Sequence, residues 1–310
     1  MDKVNRSLAL APIFLLISAP AFAQSGVLVG VENAPVSTNV PNAVEGGARE
    51  VSTASTDFAG EWEYIGGEEE EREPGDFLGI PVNAAGQMRA ETHDASEWSL
   101  PEFQCRPHPI VAQWRANGEL RVVKEASPLN RLPIAYHLGF VRSSPRTIYL
   151  DGRAHPTEDA PHTWFGFSTG RWDGNTLVVT TTHLKEAYYN RNGQMYSDRA
   201  TVIEWFMRHG EYLTVIVRLE DPVYLSEPFV QSVTYQWRPH VELPYFPCTI
   251  AAEQIGAWRV GSAVKIPHFL PGKNPFDREF AEKNGVPYEA TRGGAETMYP
   301  DYRKKLPDHK

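Results

Sequence analysis

Alternation of apolar and polar residues dominates the middle of the chain and predicts β-strands. Residues 58–65 alternate and place Trp62 and Tyr64 on one face of a first strand. Residues 146–150 are β-branched and apolar, and they stop at Asp151-Gly152, a dipeptide that favours turns with positive φ. The pattern therefore predicts short strands separated by tight turns.

Two hairpins give the clearest signal, because each joins two alternating segments through three residues that contain glycine. The first hairpin joins residues 165–172 and 176–183 through Asp173-Gly174-Asn175, and the second joins residues 201–208 and 212–219 through His209-Gly210-Glu211. A further strand is expected at residues 232–238. Tight turns join neighbouring strands in antiparallel pairs. Strands spaced in this way predict an antiparallel barrel or a sandwich.

Two short helices are expected on either side of these strands. Asn83 precedes residues 84–92, and a side-chain carbonyl at that position accepts hydrogen bonds from the free amides of the first helical turn. Asn274-Pro275 precedes residues 276–283 and Asn284-Gly285 follows them, which places cap, proline and terminal glycine where helices prefer them. The expected fold is mainly β, with a short N-terminal helix and a helical C-terminal arm.

The first residues have the pattern of a cleavable secretory signal peptide. Lys3 and Arg6 precede an apolar stretch, and Ala21-Phe22-Ala23 forms a small-residue cleavage site. The stretch is short and contains Pro12, which disfavours the alternative of a retained membrane anchor. We therefore expect a periplasmic or secreted protein without membrane insertion after cleavage.

The remaining chain divides into three segments. After the signal peptide, residues 1–23, we expect a flexible leader at 24–57, a β-domain at 58–260 and a C-terminal arm at 261–310. The net charge of −9 disfavours nucleic acid as a partner, since an acidic surface repels phosphates.

Cys105 and Cys248 are the two cysteines of the chain. In an exported protein we expect them to form a disulfide, because oxidising compartments favour that bond. The alternative is a pair of unbonded buried thiols.

Several longer motifs are distinctive. They are LDGRAHP at 150–156, APHTWFGFSTGRWDG at 160–174, SDRA at 197–200 and GGAETMYP at 293–300. These motifs resemble those of a large uncharacterised family of exported bacterial proteins, and the likeness covers residues 75–303. The resemblance implies export and a common fold, and it brings no catalytic assignment or substrate.

Gly60-Glu61-Trp62 on the first strand carries a looser resemblance to lipocalin-type (calycin) barrels. In those proteins a Gly-x-Trp sequence closes the floor of the barrel. Together with the hairpin-joined strands, the resemblance favours a barrel over a sandwich.

The loop after residue 150 carries a group of charged side chains and imidazoles. Asp151, Arg153, His155 and His162 lie within it, and a histidine with a carboxylate partner is the usual acid/base pair. In an enzyme, His155 or His183 would act as acid/base, Asp151 or Asp198 would orient it, and Arg153 would stabilise an anion. In the structural alternative, Asp151 binds backbone amides and Arg153 pairs with Glu158.

His183 and Glu204 fall on predicted apolar strand faces. Alternation places His183 on the face of Leu177, Val179 and Thr181, and if that face lines a cavity, His183 lies inside it. The alternative is a hydrogen-bonded histidine of the wall or rim. A charged group on an apolar face is either paired or functional. Arg199 and Arg218 are the candidate partners of Glu204.

The preferred hypothesis is a binding protein whose barrel holds a small apolar or aromatic molecule, with polar contacts at its mouth. The candidate binding residues are His162, Trp164, Trp172 and Glu204. The alternatives are a periplasmic hydrolase or isomerase and a structural envelope protein.

No cofactor is expected, since neither a P-loop nor a dinucleotide motif occurs. A zinc site from His155, His162 and His183 is a minor alternative, because their spacing is not a known ligand pattern. Residues 166–170 match the letters of a nucleophile elbow around Ser168, but they precede a strand where the elbow would open a helix.

Overall fold

The computed structural model describes residues 57–67, 75–77, 79–93, 105–115, 118–140, 145–190, 192–240, 243, 269–274 and 278–304. All described residues belong to one compact unit, residues 49–310. The signal peptide, almost all of the leader and Cys248 lie outside the described residues. The disulfide therefore stays a prediction.

Nine of the described strands close into a single barrel, which confirms the mainly β fold and the barrel. The strands of the chain are β1 (Gly60–Gly67), β2 (Leu120–Ala126), β3 (Pro133–Phe140), β4 (Arg146–Tyr149), β5 (Phe167–Asp173), β6 (Thr176–Thr182), β7 (Ala187–Tyr188), β8 (Met195–Tyr196), β9 (Thr201–His209), β10 (Tyr212–Glu220) and β11 (Phe229–Trp237). The order around the barrel is β1-β11-β10-β9-β6-β5-β4-β3-β2, and β7 and β8 form a separate two-stranded sheet.

A closed ring with an odd number of strands cannot be antiparallel throughout, and one pair here is parallel. Ile148 pairs with Ser168 and Tyr149 with Thr169, so β4 and β5 run in the same direction. The chain must then return along the barrel between these two strands, as a parallel pair requires. Residues 150–166, which hold the loop of charged and imidazole side chains, make this return on the outer wall.

Both predicted hairpins are confirmed, although their turns are one residue shorter than expected. Asp173 pairs with Thr176, and His209 pairs with Tyr212, which leaves two residues in each turn. The first residue of each turn is a glycine with positive φ, which is 57° in Gly174. Glycine adopts this conformation without the steric cost that a Cβ would bring.

One end of the barrel, which we call the lower end, lies beside these two hairpin turns and is filled by aromatic side chains. Trp62 is fully buried there, and the Arg208 guanidinium lies 5.2 Å from the centre of its ring. Phe58 stacks on Trp172 at 5.2 Å and approaches Phe206 at 6.0 Å. The first-strand tryptophan thus sits in the apolar plug at this end.

The opposite, upper end is plugged by the short helix α2 (Ile110–Gln113), which the sequence patterns did not predict. Gln231 of β11 donates from Nε2 to the carbonyl of Val111 at 3.1 Å. Trp114 follows the helix and points its indole into the barrel. The rings around it belong to Phe140, Phe206 and Tyr235, with centroids 4.9, 5.7 and 6.2 Å away.

Helix α1 (Ala84–Ala90) begins as expected at Asn83, whose side-chain oxygen accepts from Gly86 N at 3.0 Å. The amide nitrogen of Asn83 also donates to Val223 O at 2.9 Å, which ties the helix to the segment after β10. The cap therefore starts the helix and fixes its position.

The C-terminal arm is helical, but its first helix begins later than predicted. Helix α3 (Glu279–Asn284) ends at Gly285 with φ 64°, as expected, whereas it begins after Arg278. The N-cap residue is Arg278 and not Asn274, whose side chain donates to His93 O at 2.5 Å. Two 3-10 helices (Tyr288–Arg292 and Ala295–Met298) and α4 (Pro300–Arg303) follow.

We expect Gly86→Ala to destabilise the protein by about 1–3 kcal/mol, although alanine normally favours a helix. A Cβ on Gly86 would collide with the carbonyl oxygen of Tyr224 and lie 2.6 Å from Val82 Cγ1. Chemical denaturation measures the free energy of unfolding. Gly66→Ala is the control, since a Cβ on Gly66 would meet no atom within 4 Å; equal effects of the two substitutions would contradict the packing of α1.

Candidate functional site

A buried ion pair lies inside the barrel between β4 and β9. Arg146 Nη1 donates to Glu204 Oε1 at 2.8 Å, and Nη2 donates to the other carboxylate oxygen. Both side chains are at most 1% exposed. The expected partners of Glu204 were wrong, since Arg218 pairs with Glu220 and Arg199 is exposed.

Three further side chains complete this polar cluster. Arg146 donates to Thr181 Oγ1 at 2.9 Å and to Ser168 Oγ at 3.2 Å, and Trp114 Nε1 donates to Glu204 Oε1 at 2.7 Å. The two charges therefore neutralise each other and are extensively hydrogen-bonded, as a buried pair requires. Glu204 lies in the interior and not at the mouth, and the Ser168 hydroxyl is committed to this cluster.

Two polar atoms on the inner face of β11 have no hydrogen-bond partner among the described residues. They are the Tyr235 hydroxyl and Gln231 Oε1, and the two side chains are 0% and 2% exposed. Burial raises the pKa of Tyr235, which keeps its phenol protonated. An unsatisfied buried group costs about 1–3 kcal/mol, so each of these two atoms requires an explanation such as a bound water or another bound molecule.

His155 of the return loop lies on the outer wall of the barrel. Its Nδ1 is 2.7 Å from Thr182 Oγ1 and its Nε2 is 2.8 Å from Thr169 Oγ1. Both threonines alternate with inward residues, which directs their hydroxyls outwards. Burial, with a smaller contribution from the charge of His183, lowers the pKa of His155.

His183 is also outside, which fits the alternative of a hydrogen-bonded wall histidine and not a position inside a cavity. Its φ of 59° ends the strand alternation after Thr182 and turns the ring outwards. The ring nitrogens lie 2.8 Å from Thr182 Oγ1 and 2.8 Å from Thr157 O. His162, which contacts Leu184 O at 2.7 Å, lies 5.3 Å from His183 between ring centres.

The three histidines therefore meet on the outer wall, yet their nitrogens are largely engaged. Both nitrogens of His155 and of His183 contact hydroxyl or carbonyl oxygens of the protein. Within the described ranges, no group of three or more potential ligand side chains is arranged to hold a metal ion. This geometry does not support the zinc alternative.

Asp151 and Arg153 pair with each other at the start of the return loop. Arg153 Nε donates to Asp151 Oδ1 at 2.8 Å, and its guanidinium lies 3.7 Å from the centre of the Tyr149 ring. The hydrogen bond from Arg153 lowers the pKa of Asp151 to about 2. The alternative pairing of Arg153 with Glu158 was wrong.

The predicted acid/base pair does not form in the part of the chain that the structure describes. His155 and His183 contact threonine and carbonyl oxygens, and no described carboxylate hydrogen-bonds to either ring. Asp198 is exposed in the connection before β9.

The two predicted binding tryptophans lie on different sides of the wall. Trp164 is outside, with Lys185 Nζ 5.2 Å and the Arg106 guanidinium 5.7 Å from its ring centre. Trp172 belongs to the lower plug beside Phe58. Together with the outer His162 and the inner Glu204, they do not line one pocket.

The chain matches no protein-family model, no curated protein and no solved structure in the comparisons. Among the described residues, no helix has the length and apolar character needed to span a membrane. The inner face of β11 beside Trp114 is thus the candidate site on geometry alone.

Sequence reasoning missed Arg146, Trp114 and Gln231. Alternation along β4 places Arg146 on the same face as the fully buried Ile148, and a charged residue on an apolar face was the available signal. Trp114 gave no such signal, because it lies outside any strand pattern.

We expect Glu204→Leu to lower the free energy of unfolding by about 3–5 kcal/mol, because it leaves Arg146 buried without a counter-charge. The double variant Arg146→Met/Glu204→Leu should lose clearly less than the sum of the two single variants. Denaturant unfolding of all four proteins gives the coupling energy. The exposed pair Glu63–Arg238 is the control and should show little coupling; additive effects at the inner pair would refute the interpretation.

Protonation of His155 should destabilise the fold below about pH 6.5. Its folded-state pKa is below the ordinary 6.5, so the unfolded chain binds the proton more tightly. The stability that depends on neutral His155 is fully present above about pH 6.5 and is lost as the pH falls through the folded-state pKa. Unfolding measured at several pH values should show a shallower loss in His155→Gln than in the parent, whereas the exposed His209→Gln should keep the parent slope.

Proposed function

We propose that this protein binds a small molecule inside its barrel. The observation that supports this is the pair of buried atoms, Tyr235 OH and Gln231 Oε1, without partners in the described chain. Both lie on the inner face of β11, where a molecule enclosed by the barrel would meet them. A hydrogen-bonding group on that molecule would remove the cost of leaving them unsatisfied.

The surroundings of these two atoms favour a neutral molecule with an aromatic or apolar body. Tyr64 and Trp114 lie edge-on to the Tyr235 ring, at 5.9 and 6.2 Å. The nearby charges of Arg146 and Glu204 already neutralise each other, so a charged ligand would have no counter-ion there. Aromatic walls with a few polar atoms are typical of small-molecule sites.

Helix α2 connects this site to the upper end of the barrel. Gln231 uses its Nε2 to hold the carbonyl of Val111, and the same amide offers its Oε1 to the ligand. Trp114, which follows α2, donates to Glu204 and contacts Tyr235. Occupation of the site is therefore expected to change the environment of the Trp114 indole.

The proposed setting is the periplasm or the extracellular space. The signal-peptide pattern at residues 1–23 supports export. The hydrolase or isomerase alternative has weaker support, since the histidines on the outer wall lack a carboxylate partner among the described residues.

Tyr235→Phe tests the proposed site. We expect the ligand-free variant to be as stable as the parent or up to about 2 kcal/mol more stable, because an unsatisfied hydroxyl is removed. Its affinity for the ligand should fall about five- to thirtyfold, the equivalent of one lost hydrogen bond. Native mass spectrometry of protein purified from the periplasm measures the retained small molecule, and denaturation after its removal measures stability.

Tyr212→Phe on the neighbouring strand β10 is the matched control, since its ring is 44% exposed. This variant should retain the small molecule at the parent level. Equal retention by both variants, or no retained molecule in the parent protein, would refute the proposed site.

A further inference from the structure

The β7–β8 hairpin presents a second set of buried polar side chains. Ala187 pairs with Tyr196, and Tyr189 N donates to Gln194 O at 3.1 Å, so the pairing continues towards the hairpin loop. Residues directly opposite each other in an antiparallel pair project from the same face. Tyr189, Gln194 and Tyr196 therefore share one face of the hairpin.

That face is directed towards the upper end of the barrel. The Tyr189 ring lies 5.1 Å from the ring of Phe229, the first residue of β11. On the opposite face, Tyr188 lies 4.8 Å from the His93 ring, which follows α1. The hairpin thus lies between the end of α1 and the upper end of the barrel.

Three side chains of this hairpin are buried with polar atoms that find no partner in the described ranges. Gln194 and Tyr196 are 0% exposed and Asn190 is 3% exposed. The unsatisfied atoms are both amide atoms of Gln194, the hydroxyl of Tyr196 and Oδ1 of Asn190. A side-chain amide that is fully buried with neither atom bonded is rare in proteins.

We infer that the barrel-facing side of this hairpin binds a neutral molecule that presents a hydrogen-bond donor next to an acceptor. Gln194 offers one donor group and one acceptor side by side, and the hydroxyl of Tyr196 and the oxygen of Asn190 add two contacts. This inference rests on the proposed function, because it assigns these contacts to the polar end of the same ligand.

The unsatisfied atoms indicate which chemical class of ligand would fit this side of the hairpin. All three side chains are neutral, and burial raises the pKa of Tyr196, so its hydroxyl remains a donor. An ion bound to these three side chains alone would be desolvated without a counter-charge. The guanidinium of Arg115 donates to Tyr189 O of the same hairpin at 3.1 Å, and the charged probes below test whether it attracts an anion. A hydroxylated ring and a cyclic amide both present the adjacent donor and acceptor that fit this set.

Gln194→Met tests the inference in the full-length protein, because methionine keeps the length of the side chain and removes both amide contacts. Calorimetry and thermal unfolding use glucose, myo-inositol and uracil as neutral probes, and phosphate and acetate as charged probes. At least one neutral probe should bind the parent protein, and Gln194→Met should weaken that binding about ten- to a hundredfold. Binding of glucose or myo-inositol would identify the ligand as a hydroxylated ring, and binding of uracil would identify it as a cyclic amide.

Gln236→Met is the matched control, since Gln236 lies on the partly exposed face of β11 and accepts from Arg238. It should bind the neutral probe like the parent. Tyr196→Phe should weaken binding in the same direction as Gln194→Met, and it provides the test if Gln194→Met does not fold.

The outcomes separate this inference from the proposed function. Loss of binding in Tyr235→Phe with normal binding in Gln194→Met and Tyr196→Phe would refute the inference and leave the barrel site standing. Loss of binding in Gln194→Met and Tyr196→Phe, with normal binding in Tyr235→Phe, would place the ligand at the hairpin and refute the barrel site. Binding of charged probes only, no binding of any probe, or destabilisation of ligand-free Tyr196→Phe, as expected for buried water, would overturn the inference.

Discussion

The buried ion pair of Arg146 and Glu204 connects the parts of this structure. It joins β4 to β9 across the inside of the barrel, and its hydrogen bonds reach β5, β6 and the plug residue Trp114. A charge left alone in such a place is strongly destabilising, so these elements must assemble in one arrangement. The network couples closure of the barrel wall to the position of α2.

The odd number of strands keeps the loop of charged and imidazole side chains outside the barrel. The barrel needs one parallel pair, β4 with β5, and the chain returns between them along the outer wall through residues 150–166. The imidazoles and charges of that loop are thereby kept out of the interior, where His155 would otherwise be a candidate acid or base. The inner surface instead presents neutral polar atoms beside aromatic rings.

These neutral atoms come from β11 and from the hairpin that contacts its upper end. Tyr235 and Gln231 belong to β11, whereas Gln194 and Tyr196 belong to the hairpin that contacts Phe229 at the start of the same strand. Buried polar groups in native proteins are normally paired. Their concentration here is the physical basis for a ligand in this part of the molecule.

Features that depend on a few neighbouring residues were determined by the sequence alone: the hairpins around Gly174 and Gly210, the Asn83 cap and the helix end at Gly285. The partner of Glu204, the parallel pair and the plug at Trp114 depend on contacts between residues far apart in the chain, and only the tertiary structure decided them. His183 shows where local patterns stop being sufficient. Strand alternation predicts that its side chain points inwards, and the positive φ of His183 turns the side chain outwards instead. Local patterns set the period of a strand, but where it ends and what it faces follow from packing.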